Sequence, residues 1–212
     1  MILSPKHNLL LIKNYKVGGT SLEVELSQII NDDNAVVTKI QPTNKDHMPK
    51  NFIGYYNHMS YLEVARKLGF DYINGLDSVV FVRNPFDVVL SHFYMAVNWS
   101  KINLITEDIV EKYFNDELIL EKMSGIRSRG IYSIDNVVAV NNVFKYEDGI
   151  EPFNSLLTKI GLQPIKWKYS EKQYKPKDIT PLNIFKEKHL DIIRSDWSWE
   201  FETFDYPIDP TV

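Results

Sequence analysis

The chain has no cysteine, no long apolar run and no excess of positive charge. Without cysteine, disulfide bonds and thiolate metal sites are excluded. No stretch approaches the ~20 apolar residues of a membrane-spanning helix. The formal net charge of −4 argues against broad nucleic-acid binding, which usually depends on a basic domain. The segment Met1 to Asn8 is polar and too short for a signal peptide, so we expect a cytoplasmic protein with neither a membrane nor a nucleic acid as partner.

What the sequence does contain is enough apolar material for a core and a regular alternation of patterns. Its 212 residues are 44% hydrophobic and 13% aromatic, and we expect one domain over 1–212. Apolar runs predict strands at 8–13, 35–40, 52–57, 78–82 and 137–145. Helical patterns cover 20–31, 60–68, 106–123, 152–160 and 181–204, with a further helix after Arg83. This alternation favours an α/β fold with a central, mainly parallel sheet flanked by helices.

The segment from Lys16 to Ser21 joins a predicted strand to a predicted helix and reads Lys-Val-Gly-Gly-Thr-Ser. Glycine lets a phosphate approach the backbone, and a helix N-terminus offers free N–H groups and a positive dipole end. The segment therefore predicts an anion site for a phosphorylated ligand. It is not a Walker A loop, because its lysine precedes the glycines, and the chain has no GxGxxG motif. A helix cap with a glycine turn is the alternative interpretation.

A second segment ends another predicted strand with an arginine. The apolar run 78–82 leads into Arg83, with Asn84 as the predicted N-cap and Pro85 at the first helical position. Arg83 would then stand at the carboxyl end of a central strand, where open α/β sheets bind ligands. Ser91 falls roughly two turns into the following helix, from which it can face the same cleft.

Together the two segments resemble the sulfotransferases that use 3′-phosphoadenosine 5′-phosphosulfate. The match to the family's 5′-phosphosulfate loop consists of Lys16, Gly18, Gly19, Thr20 and Ser21. The match to its 3′-phosphate motif consists of Arg83, Asn84, Pro85 and Ser91. Tyr15 stands where the family usually has proline, which we interpret as a change in entry geometry. A looser similarity extends to Tyr146-Glu147-Asp148 and to the segment from Asp196 to Tyr206.

The resemblance implies a P-loop-like three-layer sandwich and a specific reaction. A sulfuryl group would pass from 3′-phosphoadenosine 5′-phosphosulfate to an acceptor hydroxyl. The carbohydrate-type branch of the family is the nearer one, so a glycan is the favoured acceptor, and a small alcohol or phenol stays open. Lys16 would stabilise charge on the leaving oxygen, while Arg83 and Ser91 would hold the 3′-phosphate. We expect no metal, because a sulfuryl group carries less charge than a terminal phosphoryl group.

The acceptor hydroxyl needs a base, and histidine has a suitable intrinsic pKa. His58 follows the predicted strand 52–57 and precedes Ser60, which forms a predicted capping box with Glu63. We therefore expect His58 at the edge of the sheet where the strand before Arg83 also ends. Its surroundings also resemble the family's strand end that carries a catalytic histidine or glutamate. A structural or capping role for His58 is the alternative. The weaker candidates are His47 and His92, and surface or helix-face positions are expected for His7 and His189.

Two basic clusters can serve the ligands, and each has a structural alternative. Arg129, in the run 127–130 before a predicted strand, can reach the 3′-phosphate or an acidic acceptor, or can lie in a polar surface loop. The stretch 166–177 interleaves lysines with aromatic residues and can stack adenine or a sugar, close as a lid, or form a solvated loop. For Glu23, on the first helix, we expect solvent exposure and a favourable interaction with the helix dipole.

The sequence leaves two other classes of function open. A nucleotide-dependent kinase or nucleotidase would share the α/β fold, although the missing Gly-Lys-Ser/Thr counts against it. A non-catalytic protein that binds a nucleotide or a glycan would use the same anion site without any turnover.

Overall fold

The computed structural model describes residues 1–41, 43–118, 122–167, 174–176 and 178–210. The chain divides into two compact units. Unit 1 comprises Met1–Val82 and Ser128–Glu171, and unit 2 comprises Arg83–Arg127 and Lys172–Val212. This division into units does not test the expectation of one domain over 1–212, which stays a prediction. Among the residues described, every helix is too short or too polar to span a lipid bilayer.

Unit 1 contains all the strands that the structure describes. They are β1 (Ile2–Ser4), β2 (Leu9–Ile12), β3 (Val36–Val37), β4 (Asp77–Val82), β5 (Ser133–Ile134), β6 (Val137–Val138) and β7 (Asn142–Lys145). Five of them form one sheet in the order β3-β1-β2-β4-β7, while β5 and β6 pair separately. The pairs β2–β4 and β4–β7 are parallel, and the pairs β1–β2 and β1–β3 are antiparallel.

The α/β class is thereby confirmed, but the sheet is mixed rather than mainly parallel. The difference comes from the first residues of the chain. Within the segment that we interpreted as polar, Ile2–Ser4 is fully buried and pairs antiparallel with Leu9–Leu11. A three-residue strand followed by a short turn gives too little periodicity to stand out in the sequence.

Both units contain helices, which are numbered here in chain order. They are α1 (Gly19–Ile29), α2 (Tyr61–Leu68), α3 (Phe70–Asn74), α4 (Pro85–Trp99), α5 (Glu107–Phe114), α6 (Arg129–Tyr132), α7 (Glu151–Lys159), α8 (Pro181–Ile184), α9 (Glu187–Asp196) and α10 (Ser198–Thr203). Single 3₁₀ turns cover Met123–Ile126 and Tyr146–Asp148. Of these helices, α4, α5 and α8 to α10 belong to unit 2, and the others belong to unit 1.

The core of unit 1 lies where α1 and α7 cover one face of the sheet. The buried side chains that meet there include Leu9, Leu11, Leu22, Leu26, Val79, Phe81, Phe153 and Leu157. Phe81 and Phe153 meet edge to face, with ring centroids 5.3 Å apart. Residues 9 and 11 of β2, and 79 and 81 of β4, share this face because strand side chains alternate. The core therefore fixes β2, β4 and α1 relative to one another.

Unit 2 has an aromatic core in which two histidines are buried. Phe114 stacks on the ring of His189 at 4.6 Å and meets Phe185 edge to face. Nδ1 of His92 lies 2.9 Å from the hydroxyl of Tyr113, inside the same core. His189 is only 1% exposed and lies on the buried face of α9, so of the two positions expected for it the surface is wrong and the helix face is correct. Phe114, which stacks on it, is distant along the chain.

Several predicted boundaries hold and one predicted strand is wrong. The capping box of Ser60 and Glu63 is present at the start of α2. The region 106–123 is helical only to Phe114, and 137–145 is split between β6 and β7. The predicted strand 52–57 is instead a pair of turns. Gly54 there has φ +78°, and the N–H of Tyr55 donates to the carbonyl of Phe52 at 2.9 Å.

Candidate functional site

The predicted anion loop, between β2 and α1, has two residues with positive φ. Lys16 and Gly18 both adopt the left-handed conformation, with φ +57° and +72°. Gly18 is the N-cap of α1. Because glycine has no side chain, the first helical turn, which contains Gly19, Thr20 and Ser21, receives no hydrogen bond from a capping side chain. The N–H groups of such a turn and the positive end of the helix dipole suit a phosphate or phosphosulfate oxygen.

Both glycines of this loop are closely packed, and Gly19 is the more tightly packed of the two. A Cβ on Gly19 would lie 2.9 Å from Cγ of Lys13. A Cβ on Gly18 would lie 3.2 Å from a ring carbon of Tyr146 and 3.4 Å from the ring of Trp167. The rings of Tyr146 and Trp167 are 4.8 Å apart. The loop is therefore walled by two aromatic side chains and rests on the aliphatic part of a lysine.

A buried ion pair between Lys13 and Glu23 supports the loop. Nζ of Lys13 contacts the carboxylate of Glu23, and the amino group of Met1 contacts the same carboxylate. The hydroxyl of Thr38 donates to Oε1 of Glu23 at 3.1 Å. Glu23 is fully buried, so the expected exposure is wrong. The sequence carried a signal that we missed, because Glu23 lies three residues before Leu26 and so falls on the apolar stripe of α1.

His58 lies directly against this loop. Its Nδ1 is 3.0 Å from the carbonyl oxygen of Lys13, and its ring stacks on that of Tyr15 with centroids 4.3 Å apart and planes at 20°. A carbonyl only accepts hydrogen bonds, so Nδ1 carries the proton and the neutral ring has its lone pair on Nε2. That tautomer can accept a proton from a hydroxyl. The structure thus brings together two predicted elements, the Lys16 loop and His58, that are more than 40 residues apart in sequence.

The backbone that places His58 is a turn rather than the end of a strand. His58 has φ +60°, and the N–H of Met59 donates to the carbonyl of Tyr56 at 3.3 Å. The turn runs into the N-cap Ser60, whose N–H donates to Glu63 at 2.8 Å. The capping box therefore fixes the exit of the turn, and the position of His58 follows from it.

Tyr56 is a second ionisable group close to the site, and it stays protonated. Its hydroxyl donates to the carboxylate of Glu63. This hydrogen bond, together with burial and the charge of Glu63, raises the pKa of Tyr56 to about 12. The same hydrogen bond, with those from Ser60, lowers the pKa of Glu63. Of these neighbouring groups, His58 carries the side-chain type that most often acts as a general base.

The residues that match the family's 3′-phosphate motif lie in unit 2. Arg83 follows β4, and its guanidinium is 3.8 Å from the carboxylate of Asp87. The predicted N-cap is confirmed, since Oδ1 of Asn84 accepts from the N–H of Phe86 at 3.0 Å and Pro85 begins α4. Ser91 is half-buried on α4.

Each of the two basic clusters, 127–130 and 166–177, has residues in both units. Arg129 begins α6 in unit 1, which packs against α2, whereas Arg127 belongs to unit 2 and pairs with Asp196. In the stretch 166–177, the N–H of Lys166 donates to Glu25 at 2.8 Å, and Trp167 lies against Gly18. Residues 168–173 and 177 of that stretch lie outside the described residues, and so does its predicted lid function.

Three of the remaining histidines have structural hydrogen bonds. Nε2 of His47 lies 2.8 Å from the carbonyl of Thr38, and burial lowers the pKa of His47. His92 bonds to Tyr113, as described above. Nδ1 of His7 is 3.3 Å from the carbonyl of Ile160. The contacts of His47 and His92 are those of packed residues, which weakens both as rival bases.

Comparisons with known proteins add no relative: no family model matches the chain, and no curated protein matches it. Within the described ranges, no group of three histidine or acidic side chains is arranged to hold a metal ion.

Proposed function

We propose that this protein is a sulfotransferase that transfers a sulfuryl group from 3′-phosphoadenosine 5′-phosphosulfate to an acceptor hydroxyl. The observation that carries the proposal is the contact of His58 with Lys13 and Tyr15, the residues that lead into Lys16. A candidate base therefore lies beside a candidate anion loop.

The residues of unit 1 suit each step of this reaction. Nε2 of His58 accepts the hydroxyl proton as the acceptor oxygen forms its bond to sulfur. The bond between sulfur and the bridging oxygen of the 5′-phosphate breaks, and adenosine 3′,5′-bisphosphate leaves. Lys16 stabilises negative charge on that bridging oxygen, and the N–H groups from Gly18 to Ser21 hold the non-bridging oxygens. The protein acts by positioning and charge stabilisation, as in phosphoryl transfer.

For the 3′-phosphate the proposal retains Arg83 and Ser91, and it keeps Arg129 as a further cation for this phosphate or an acidic acceptor. Support comes from the parallel pairing of β2 and β4, which puts the ends of both strands at one edge of the sheet. A P-loop-like three-layer sandwich, a carbohydrate acceptor and a cytoplasmic location also belong to the proposal. The sandwich and the carbohydrate acceptor depend on the resemblance, with a small alcohol or phenol as the other acceptor class.

Transfer of labelled sulfate tests this function. The wild-type protein is incubated with labelled donor and a panel of glycans, lipids and small alcohols, beside His58→Ala. We expect labelled product with at least one acceptor and a loss of turnover of about 10²–10⁴-fold in the variant. Wild-type turnover in His58→Ala would move the base to another residue. No transfer by the wild type to any acceptor would contradict the proposal.

Calorimetry separates the alternative functions. The protein is titrated with adenosine 3′,5′-bisphosphate without metal, and in parallel with ATP and Mg²⁺. The proposal predicts tighter binding of the bisphosphate. A strong preference for ATP with Mg²⁺ would favour a kinase or nucleotidase. Tight bisphosphate binding without turnover on any acceptor would indicate a non-catalytic binding protein.

A further inference from the structure

We propose that Tyr15 is a positioning residue that fixes the ring plane of His58 for proton transfer. This inference rests on the proposed function. The two rings are nearly parallel and 4.3 Å apart, which is a stacked arrangement. Tyr15 also occupies the position where the resembling family usually has proline, a residue that offers no aromatic face.

Two contacts of different kinds together hold the imidazole. The hydrogen bond from Nδ1 to the carbonyl of Lys13 restrains one ring atom, and changes of the side-chain torsions can still tilt the ring. The stack on Tyr15 limits this tilt because it favours one ring plane. With both contacts, the direction of the Nε2 lone pair is set. Efficient proton transfer needs this direction, since misplacement by about 1 Å can cost about 10²-fold in rate.

Tyr15 is itself anchored to the sheet. Its N–H donates to Oδ1 of Asn14 at 2.7 Å, and Nδ2 of Asn14 donates to the carbonyl of Phe81 at 3.1 Å. Asn14 is 5% exposed, so this link is buried. Phe81 belongs to β4, in the core of unit 1. A continuous set of contacts therefore runs from the central strand through Asn14 and Tyr15 to His58.

The same three residues, 13 to 15, both hold the histidine and lead into Lys16. The base and the anion loop are consequently parts of one local structure. A change in the side chain at position 15 should alter the orientation of His58 while leaving the glycine turn in place. This predicts an effect on turnover that is separate from donor binding.

Kinetics of Tyr15→Leu and Tyr15→Phe test the inference, with an acceptor found in the transfer screen. We expect Tyr15→Leu to lower kcat by about 10–100-fold with unchanged donor affinity. Tyr15→Phe keeps the ring and should retain wild-type kcat. In a His58→Ala background, Tyr15→Leu should have no further effect, because the two residues act as a unit. Wild-type kcat in Tyr15→Leu, or equal losses in the Phe and Leu variants, would overturn the inference while leaving the proposed function intact.

Nuclear magnetic resonance of ¹⁵N,¹³C-histidine-labelled protein gives a readout that needs no turnover. In the wild type and in Tyr15→Phe, the His58 ring should show the Nδ1–H tautomer and upfield ring-proton shifts from the stacked aromatic ring. Tyr15→Leu should lose the upfield shifts. Unchanged His58 signals in Tyr15→Leu would overturn the positioning role. The expected signals in a wild type that transfers no sulfate would instead identify the proposed function as the part that fails.

Discussion

Nζ of Lys13 contacts the carboxylate of Glu23 in the interior of unit 1, where the two side chains are 3% and 0% exposed. The same lysine packs its aliphatic part against Gly19 and holds His58 through its carbonyl oxygen. One residue therefore connects the end of β2, the start of α1 and the candidate base. The geometry of the site depends on this connection.

Removing the buried carboxylate should destabilise the protein strongly. Glu23→Ala leaves the Lys13 ammonium buried without its counter-charge, which typically costs about 3–5 kcal/mol. Urea denaturation measures the change in the free energy of unfolding. The matched control is Glu107→Ala, which removes a carboxylate that is 62% exposed and pairs with Lys186, and which should change the free energy of unfolding far less. Similar losses in both variants would contradict the supporting role of Glu23.

Adding one methyl group at Gly19 should disturb the loop. In Gly19→Ala the new Cβ would meet Cγ of Lys13 at 2.9 Å, and overpacking of this kind costs typically about 1–3 kcal/mol. Thermal unfolding and calorimetry with adenosine 3′,5′-bisphosphate should both show a loss. In Gly125→Ala, the control, the added Cβ would meet no heavy atom within 4 Å. Wild-type stability and affinity in Gly19→Ala would argue against the close packing.

Lys16 and Arg83 should affect different kinetic parameters. Lys16→Gln should lower turnover more than donor affinity, because the lysine acts on charge that develops in the transition state. Arg83→Ala should mainly weaken binding of adenosine 3′,5′-bisphosphate, since a ground-state phosphate contact is lost. Steady-state kinetics and calorimetry measure the two effects, and Lys45→Gln, at an exposed lysine, is the charge-matched control. The reverse pattern would exchange the roles of the two residues.

Stability should fall as the solution is acidified from pH 7 to pH 5. Burial lowers the pKa of His47 and of His189 below their ordinary value of 6.5. Below that pH the unfolded chain binds more protons than the folded chain, so stability present at higher pH is lost as the pH falls. Paired carboxylates such as Glu63, whose pKa is lowered, stay ionised across this window and contribute only in stronger acid.

Urea midpoints at pH 7, 6 and 5 measure this dependence. His47→Gln removes one of the two groups and should give a shallower decline than the wild type. A midpoint that rises between pH 7 and pH 5 would contradict the assignment of buried neutral histidines.

Local sequence signals predicted local structure well. The apolar run at 78–82, the cap at Asn84 and the box of Ser60 and Glu63 are all where their residue types indicated. Each depends on contacts within a few residues, which is the range that sequence patterns report. The glycine pair also fell at the start of α1, as the turn chemistry required.

The contacts that define the site are long-range, and the sequence did not specify them. Nothing near His58 indicates that its partners are Lys13 and Tyr15, and the predicted strand that was meant to place it is a pair of turns. The buried charge of Glu23 depends on Lys13, ten residues earlier. Such pairs form only when the sheet brings the end of β2 next to α1 and to the turn before α2.

Amide chemical shifts of the ¹⁵N-labelled protein, titrated with adenosine 3′,5′-bisphosphate in metal-free buffer, test the central claim most directly. The account predicts saturable shifts of the amide signals of Gly18, Gly19, Thr20 and Ser21, accompanied by shifts of the His58 ring. Shifts confined to other parts of the chain, or no shifts at millimolar ligand, would contradict it.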